Sequence, residues 1–83
     1  MQEIKILGIV VEERSQAADK VQDILTKYGC CISTRLGIRD VNKSGCNDCG
    51  LIILELTGDP EECMRLENEL WALDAVRLQK MVF

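Results

Sequence analysis

Residues 4–11 read IKILGIVV. Taken two apart, Ile4, Ile6, Gly8 and Val10 form one set and Lys5, Leu7, Ile9 and Val11 the other. Both sets are mostly apolar. A strand that is apolar on both sides needs cover on both. Residues 51–56, LIILEL, carry the same signature, with Leu51 and Ile53 set against Ile52, Leu54 and Leu56. Two such strands belong at the centre of a sheet, and the segments around them say which sheet.

Between the two lie a helical and an alternating segment. Ser15 is a good N-cap, and Ala17, Val21, Ile24 and Tyr28 then recur at helical spacing with Leu25 alongside. Gly29 is placed to supply a left-handed stop, which predicts a helix of about 13 residues. From Cys31 to Val41 the period returns to two. Ile32, Thr34, Leu36 and Ile38 are expected to line a buried face, and Ser33, Arg35, Gly37 and Arg39 a solvated one, as in an edge strand. Residues 40–50 are polar and turn-rich, a hairpin loop.

After the second central strand, Thr57-Gly58 breaks the pattern. Asp59-Pro60-Glu61-Glu62 then opens a helix with a cap, a first-turn proline and acids at the positive end of the dipole. Cys63, Leu66, Leu70 and Leu73 form its apolar stripe, with Met64 and Trp71 off it. Residues 75–83 alternate again. The order β-α-β-β-α-β predicts an α+β ferredoxin-like sandwich, a four-stranded antiparallel sheet with two helices on one face, spanning 1–83 as a single domain. In that arrangement the first and third strands are central, in agreement with their two apolar faces.

Helices on one face leave the other bare. That face would carry half of each central strand plus either Val76, Leu78 and Val82 or Met81 and Phe83. Chains this short, 83 residues at 47% hydrophobic, fold alone with little margin. Monomers rarely leave such a patch in water, and covering several hundred Å² at ~25 cal/mol per Å² contributes several kcal/mol. A second copy of the same sheet is the natural cover, so a homo-oligomer, dimer or tetramer, is expected. Trp71 and Met64 offer a second contact. Net charge −4 and a pI near 4.7, with no basic stripe, argue against direct nucleic-acid binding. No run approaches the ~20 apolar residues of a membrane helix, and the start has no signal-peptide pattern. The expected location is cytoplasmic.

Five cysteines are an odd count for a secreted disulfide scaffold. Cys46 and Cys49 form a C-x-x-C knuckle followed by Gly50. The spacing lets two thiolates face one cation, but tetrahedral zinc or iron needs four ligands. A second chain's own pair would complete the set if hairpin tips met. The same two thiols would also make a reversible disulfide, although they sit in a polar hairpin with Asp48 between them rather than at a helix start. A loop of inert reduced thiols is the third reading. Of the rest, Cys30 and Cys31 flank a strand start, where one thiol inward and one outward is expected because a bridge between neighbours is strained. Cys63 reads as a small core hydrophobe.

With no histidine the usual acid–base and triad arrangements are missing, and the carboxylates cluster at helix starts, where capping explains them. Arg35 and Arg39 read as a solvated face, and no glycine-rich phosphate loop follows the first strand. A binding or regulatory module fits better than an enzyme.

Three stretches carry a family pattern: ILGIVVEERSQAADKVQDILTKYG over 6–29, RLGIRDVN over 35–42 and GLIILEL over 50–56. Within them the strand end Val10-Val11-Glu12-Glu13-Arg14 and Arg35, Gly37 and Ile38 are the most telling, with Ala75-Val76-Arg77 in the last strand. The chain resembles the iron-only hydrogenase system regulators, small ACT-like proteins similar in fold to the ligand-binding domain of nickel-responsive repressors. The resemblance implies a sensing or regulatory protein, oligomeric through its sheets and helices, with no DNA-binding segment of its own, and acting through another regulatory protein. It carries over no catalytic residue. The CNDC loop departs from the family pattern. The repressors' nickel-binding histidines are missing, and Glu12-Glu13-Arg14-Ser15 replaces the glycine-containing turn at which ACT domains bind amino acids.

Overall fold

The computed structural model describes residues 3–12, 17–39 and 50–83. Along the chain run β1 (Lys5–Val11), α1 (Ala17–Lys27), a 3-10 turn (Gly29–Cys31), β2 (Ile32–Arg39), β3 (Gly50–Leu56), α2 (Pro60–Trp71) and β4 (Val76–Val82). All pairings are antiparallel and the strand order is β2-β3-β1-β4. The ferredoxin-like sandwich expected from the pattern is therefore present, with β1 and β3 at its centre.

One residue set from each strand faces the helices. Leu7, Ile9 and Val11 of β1, Ile52, Leu54 and Leu56 of β3, and Val76 and Leu78 of β4 are all buried. Ala17, Val21, Ile24 and Leu25 of α1 and Cys63, Leu66 and Leu70 of α2 close over them. Leu73, predicted on the same stripe, falls beyond the end of α2 and is only partly buried. No polar or charged side chain is buried among the described residues, so hydrophobic burial is the main source of cohesion. A polar clasp outside the core ties the helices together. Lys27 Nζ lies 3.0 Å from Glu69 Oε2, and the Tyr28 hydroxyl donates to the same oxygen. Both contacts, the hydroxyl first, hold the Glu69 carboxyl below its ordinary range.

The start of α2 follows its sequence closely. Asp59 is extended and its carboxylate accepts from the Glu61 N–H at 3.0 Å, with Pro60 next and Glu61 and Glu62 in the first turn. The predicted cap of α1, Ser15, lies outside the described residues. Gly29 does not take the left-handed conformation expected of it. The chain tightens instead into the 3-10 turn, where the Cys31 N–H reaches the Tyr28 carbonyl at 2.9 Å. Tyr28 just before this turn and Cys31 at its end are both buried, which fixes the turn that leads into β2.

Gly58 is where positive φ is needed, at 83°. A Cβ there would also lie 3.3 Å from the Cys30 carbonyl oxygen. Gly58→Ala should destabilise the fold by about 1–2 kcal/mol, the cost of forcing a side chain into that region. An unchanged urea midpoint would show that the loop relaxes freely.

The edge strand β2 differs from its predicted facing. Pairing with β3 shifts between Ile32 and Thr34 and again between Gly37 and Arg39. Ile32 stands opposite Leu56 and packs on the core, as expected. The first irregularity takes up Ser33, and the alternation inverts after it. Arg35 now stands opposite Leu54 on the helix side, where its guanidinium donates to Gln22 of α1. Leu36 stands opposite Ile53 on the helix-free side, 54% exposed, instead of in the core. Among the described residues no helix is long and apolar enough to cross a membrane.

Candidate functional site

Alternation along the strands assigns the helix-free face row by row. Thr34, Glu55, Ile6 and Met81 form one row across the sheet, and Leu36, Ile53, Gly8 and Gln79 the next. Leu51, Val10 and Arg77 follow toward the other end. Below the first row, Ile4 and Phe83 exchange backbone hydrogen bonds, Phe83 N–H to the Ile4 carbonyl at 2.8 Å and Ile4 N–H to the Phe83 carbonyl at 3.3 Å. Of the two candidate sets in β4 the structure selects Met81 and Phe83. Val76 and Leu78 face the helices.

The apolar members form one continuous patch. Ile6, Val10, Leu51 and Ile53 are half-buried by their own neighbours, while Ile4, Leu36, Met81 and Phe83 stand out into solvent, Phe83 being 71% exposed. At its middle is Gly8, where no side chain rises. A Cβ built there would meet the Ile53 Cδ1 at 3.7 Å and the Gln79 carbonyl oxygen at 3.8 Å, ordinary contacts. The backbone is thus bare at the centre of the face by choice of residue rather than by crowding. Within the three strand-paired rows the charged side chains are one acid, Glu55, and one base, Arg77, among residues whose side chains are described. They balance on a chain whose net charge is −4.

A second apolar feature lies on the outer side of α2. Met64 and Trp71 are separated by seven residues, two helical turns, and so share a side. Both are more than 60% exposed, so Trp71 does not lie as a lid over its own core.

The family follows from the whole pattern. A family model described as "TM1266-like: Iron-only hydrogenase system regulator, putative" matches residues 3–79. The chain belongs to this family. No curated protein matches it. Among solved structures it is similar to the uncharacterized protein TM1266 from Thermotoga maritima, at 26% identity and a TM-score of 0.81, over 99% of each chain. It is also similar to CPII, a nitrogen regulatory PII-like protein from Thiomonas intermedia K12 bound to ADP, AMP and bicarbonate, at 16% identity and a TM-score of 0.59, over 99% of this chain and 91% of that one. A formyltetrahydrofolate deformylase from Pseudomonas putida KT2440 shares the fold over 94% of this chain but 28% of its own, at 16% identity and a TM-score of 0.55. The last two likenesses concern the fold alone.

For this member of the regulator family, Cys46 and Cys49 lie outside the described residues, as does the Arg39 side chain. Among the described residues no group of three or more Cys, Asp or Glu side chains is arranged to hold a metal ion. The structure does bring together three other thiols. Cys30 is exposed, Cys31 is buried, and their sulfurs are 4.0 Å apart, the inward–outward pair expected of neighbours. Cys63 is buried on its stripe, as predicted, and its thiol donates to the Thr57 carbonyl at 3.2 Å. The Thr57 N–H in turn reaches the Cys31 carbonyl at 2.7 Å. Burial, then the Cys30 thiol, then the nearby Cys63 push the Cys31 thiol up to about 12. Spacing along the chain gives no sign of this meeting of Cys31 and Cys63. It arises because the start of β2 and the start of α2 lie at the same end of β3. Cys63 also lines a half-open cavity of about 460 Å³ with Lys5, Thr57 and Pro60.

Proposed function

We propose that the chain is a small regulatory protein of the cytoplasm that works by assembly and protein contact rather than by catalysis, two copies closing their helix-free sheet faces on one another. The observation that carries the reading is the continuous apolar patch from Leu36 to Phe83 around a bare Gly8. Three things support a second copy as its cover. The patch spans all four strands, as a sheet-on-sheet contact requires. Its charges are balanced, so like-charged copies meet where repulsion is least. A domain of 83 residues gains proportionally more from added burial than a larger one does. The regulator family and the ferredoxin-like fold support the regulatory half of the reading. Assembly supplies a mechanism, because a ligand or partner that binds the pair better than the single chain shifts the equilibrium by that difference.

Sedimentation over a dilution series tests this directly. The expected result is a dimer or larger closed assembly at micromolar concentration. A fully folded single chain throughout the series, with the Leu36–Phe83 face in water, would overturn the reading.

A further inference from the structure

We propose that Cys30 and Cys31 are an oxidation site, a dithiol that hydroperoxides close into a bridge between neighbours. This inference is independent of assembly. Cys30 is the one exposed free thiol among the described residues, and it lies 4.0 Å from the Cys31 sulfur. Cys31 is 1% exposed and held protonated by its surroundings, so it does not meet the oxidant first. The two therefore have different parts.

In the first step the Cys30 thiolate sulfur attacks the hydroperoxide. The O–O bond breaks, the sulfur takes the terminal OH and becomes a sulfenic acid, and the alkoxide (hydroxide, for hydrogen peroxide) leaves and takes from solvent the proton that the Cys30 thiol had given up, becoming the alcohol or water. In the second step the Cys31 sulfur displaces hydroxide from the Cys30 sulfur. The S–O bond breaks, the S–S bond forms, and the thiol proton leaves with hydroxide as water. Two electrons pass from the two thiols to the peroxide.

Cys63 is the competing partner for Cys31, but it is buried and its thiol is engaged with the Thr57 carbonyl. The turn has room to adjust, since nothing lies within 4 Å of where a side chain at Gly29 would begin. The Cys31 backbone is pinned at both ends, by the Tyr28 carbonyl and the Thr57 N–H. Closing the sulfurs from 4.0 Å to about 2.0 Å therefore draws the Cys31 side chain outward from the core. Bridges between neighbours are strained and readily reduced, which makes the mark reversible.

The full chain supplies a clean readout. Cleavage after Lys27 and Arg35 releases YGCCISTR, residues 28–35, with both thiols in one peptide, whereas Cys46, Cys49 and Cys63 leave together in residues 44–65. After stoichiometric hydrogen peroxide and alkylation, peptide 28–35 should appear unalkylated and about 2 Da lighter than its reduced form, and dithiothreitol should restore it. In Cys30→Ser, oxidation of Cys31 should fall at least about tenfold, since the exposed entry thiol is gone. An unreacted peptide, a Cys30 sulfinic acid beside a reduced Cys31, or a bridge joining 28–35 to 44–65 would each overturn the proposal.

Discussion

Ile53→Lys is expected to run as a single folded chain at concentrations where the unsubstituted protein is assembled. Ile53 lies in the middle row of the helix-free face, paired with Gly8 on one side and Leu36 on the other. Its side chain points away from the helices, so the core of one protomer loses nothing when it changes. In a pair related by two-fold symmetry the substitution enters twice. Each lysine would bring a strongly hydrated ammonium into an apolar contact with no acid directly across the strand pair. The effective cost of burying one unpaired charge is several kcal/mol. At 1.4 kcal/mol per factor of ten, self-association should weaken by at least about a thousandfold. Sedimentation gives the mass and far-ultraviolet circular dichroism the fold. An Ile53→Lys protein that keeps both the mass and the affinity of the parent would place the contact elsewhere, with the Met64–Trp71 side of α2 next to be examined.

The neighbouring residue should behave in the opposite way. Leu54 is one position along β3, faces the helices and is fully buried. Leu54→Ala removes the transfer free energy of the lost carbons and leaves a cavity in the core beside Leu7, its partner across the β1–β3 pair. Substitutions of this kind destabilise by about 2–5 kcal/mol. Domain stabilities are about 5–15 kcal/mol, and a chain of this size belongs near the low end, so the loss is a large share of the total. Urea unfolding followed by circular dichroism should show a midpoint far below that of the parent, or no cooperative transition. Near-parental stability would mean that the sheet and helices close over the gap. The contrast between residues 53 and 54 separates the two faces: one change dissolves the assembly and spares the fold, the other weakens the fold itself.

The residue pattern shows this architecture because β1 and β3 are apolar on both sides, and few arrangements cover both. Their burial then agrees with the topology that places them centrally. The facing of β2 was not legible. Ile32, Thr34, Leu36 and Ile38 look like one buried set only while alternation is unbroken, and the irregularity at Ser33 breaks it without any residue that announces a bulge. Glycine usually marks a left-handed stop, which is what Gly29 suggests, yet the position that takes positive φ is Gly58, where the chain turns into α2 past the Cys30 carbonyl. The thiol corner was hidden for a different reason. Cys31 and Cys63 are far apart in sequence, and only the pairing of β2 with β3 brings their elements to the same end of the sheet. Cys63 by itself is legible as core from its place on the apolar stripe of α2. The helix-free face was legible in outline, but which β4 residues joined it depended on a register that the residues left two ways.

The irregular pairing of β2 also bears on how the protein behaves when concentrated. A straight, bare border strand offers its amides and carbonyls to any passing chain, and stacking along such a border has no natural end. Here the border is interrupted twice within eight residues, so a newcomer cannot match its hydrogen-bonding groups over any length. Of the sheet's two borders, β2 and β4, this one is therefore poorly suited to open-ended stacking, while the flat side is satisfied once it has met its like. Crowding this protein should not yield fibres built along β2.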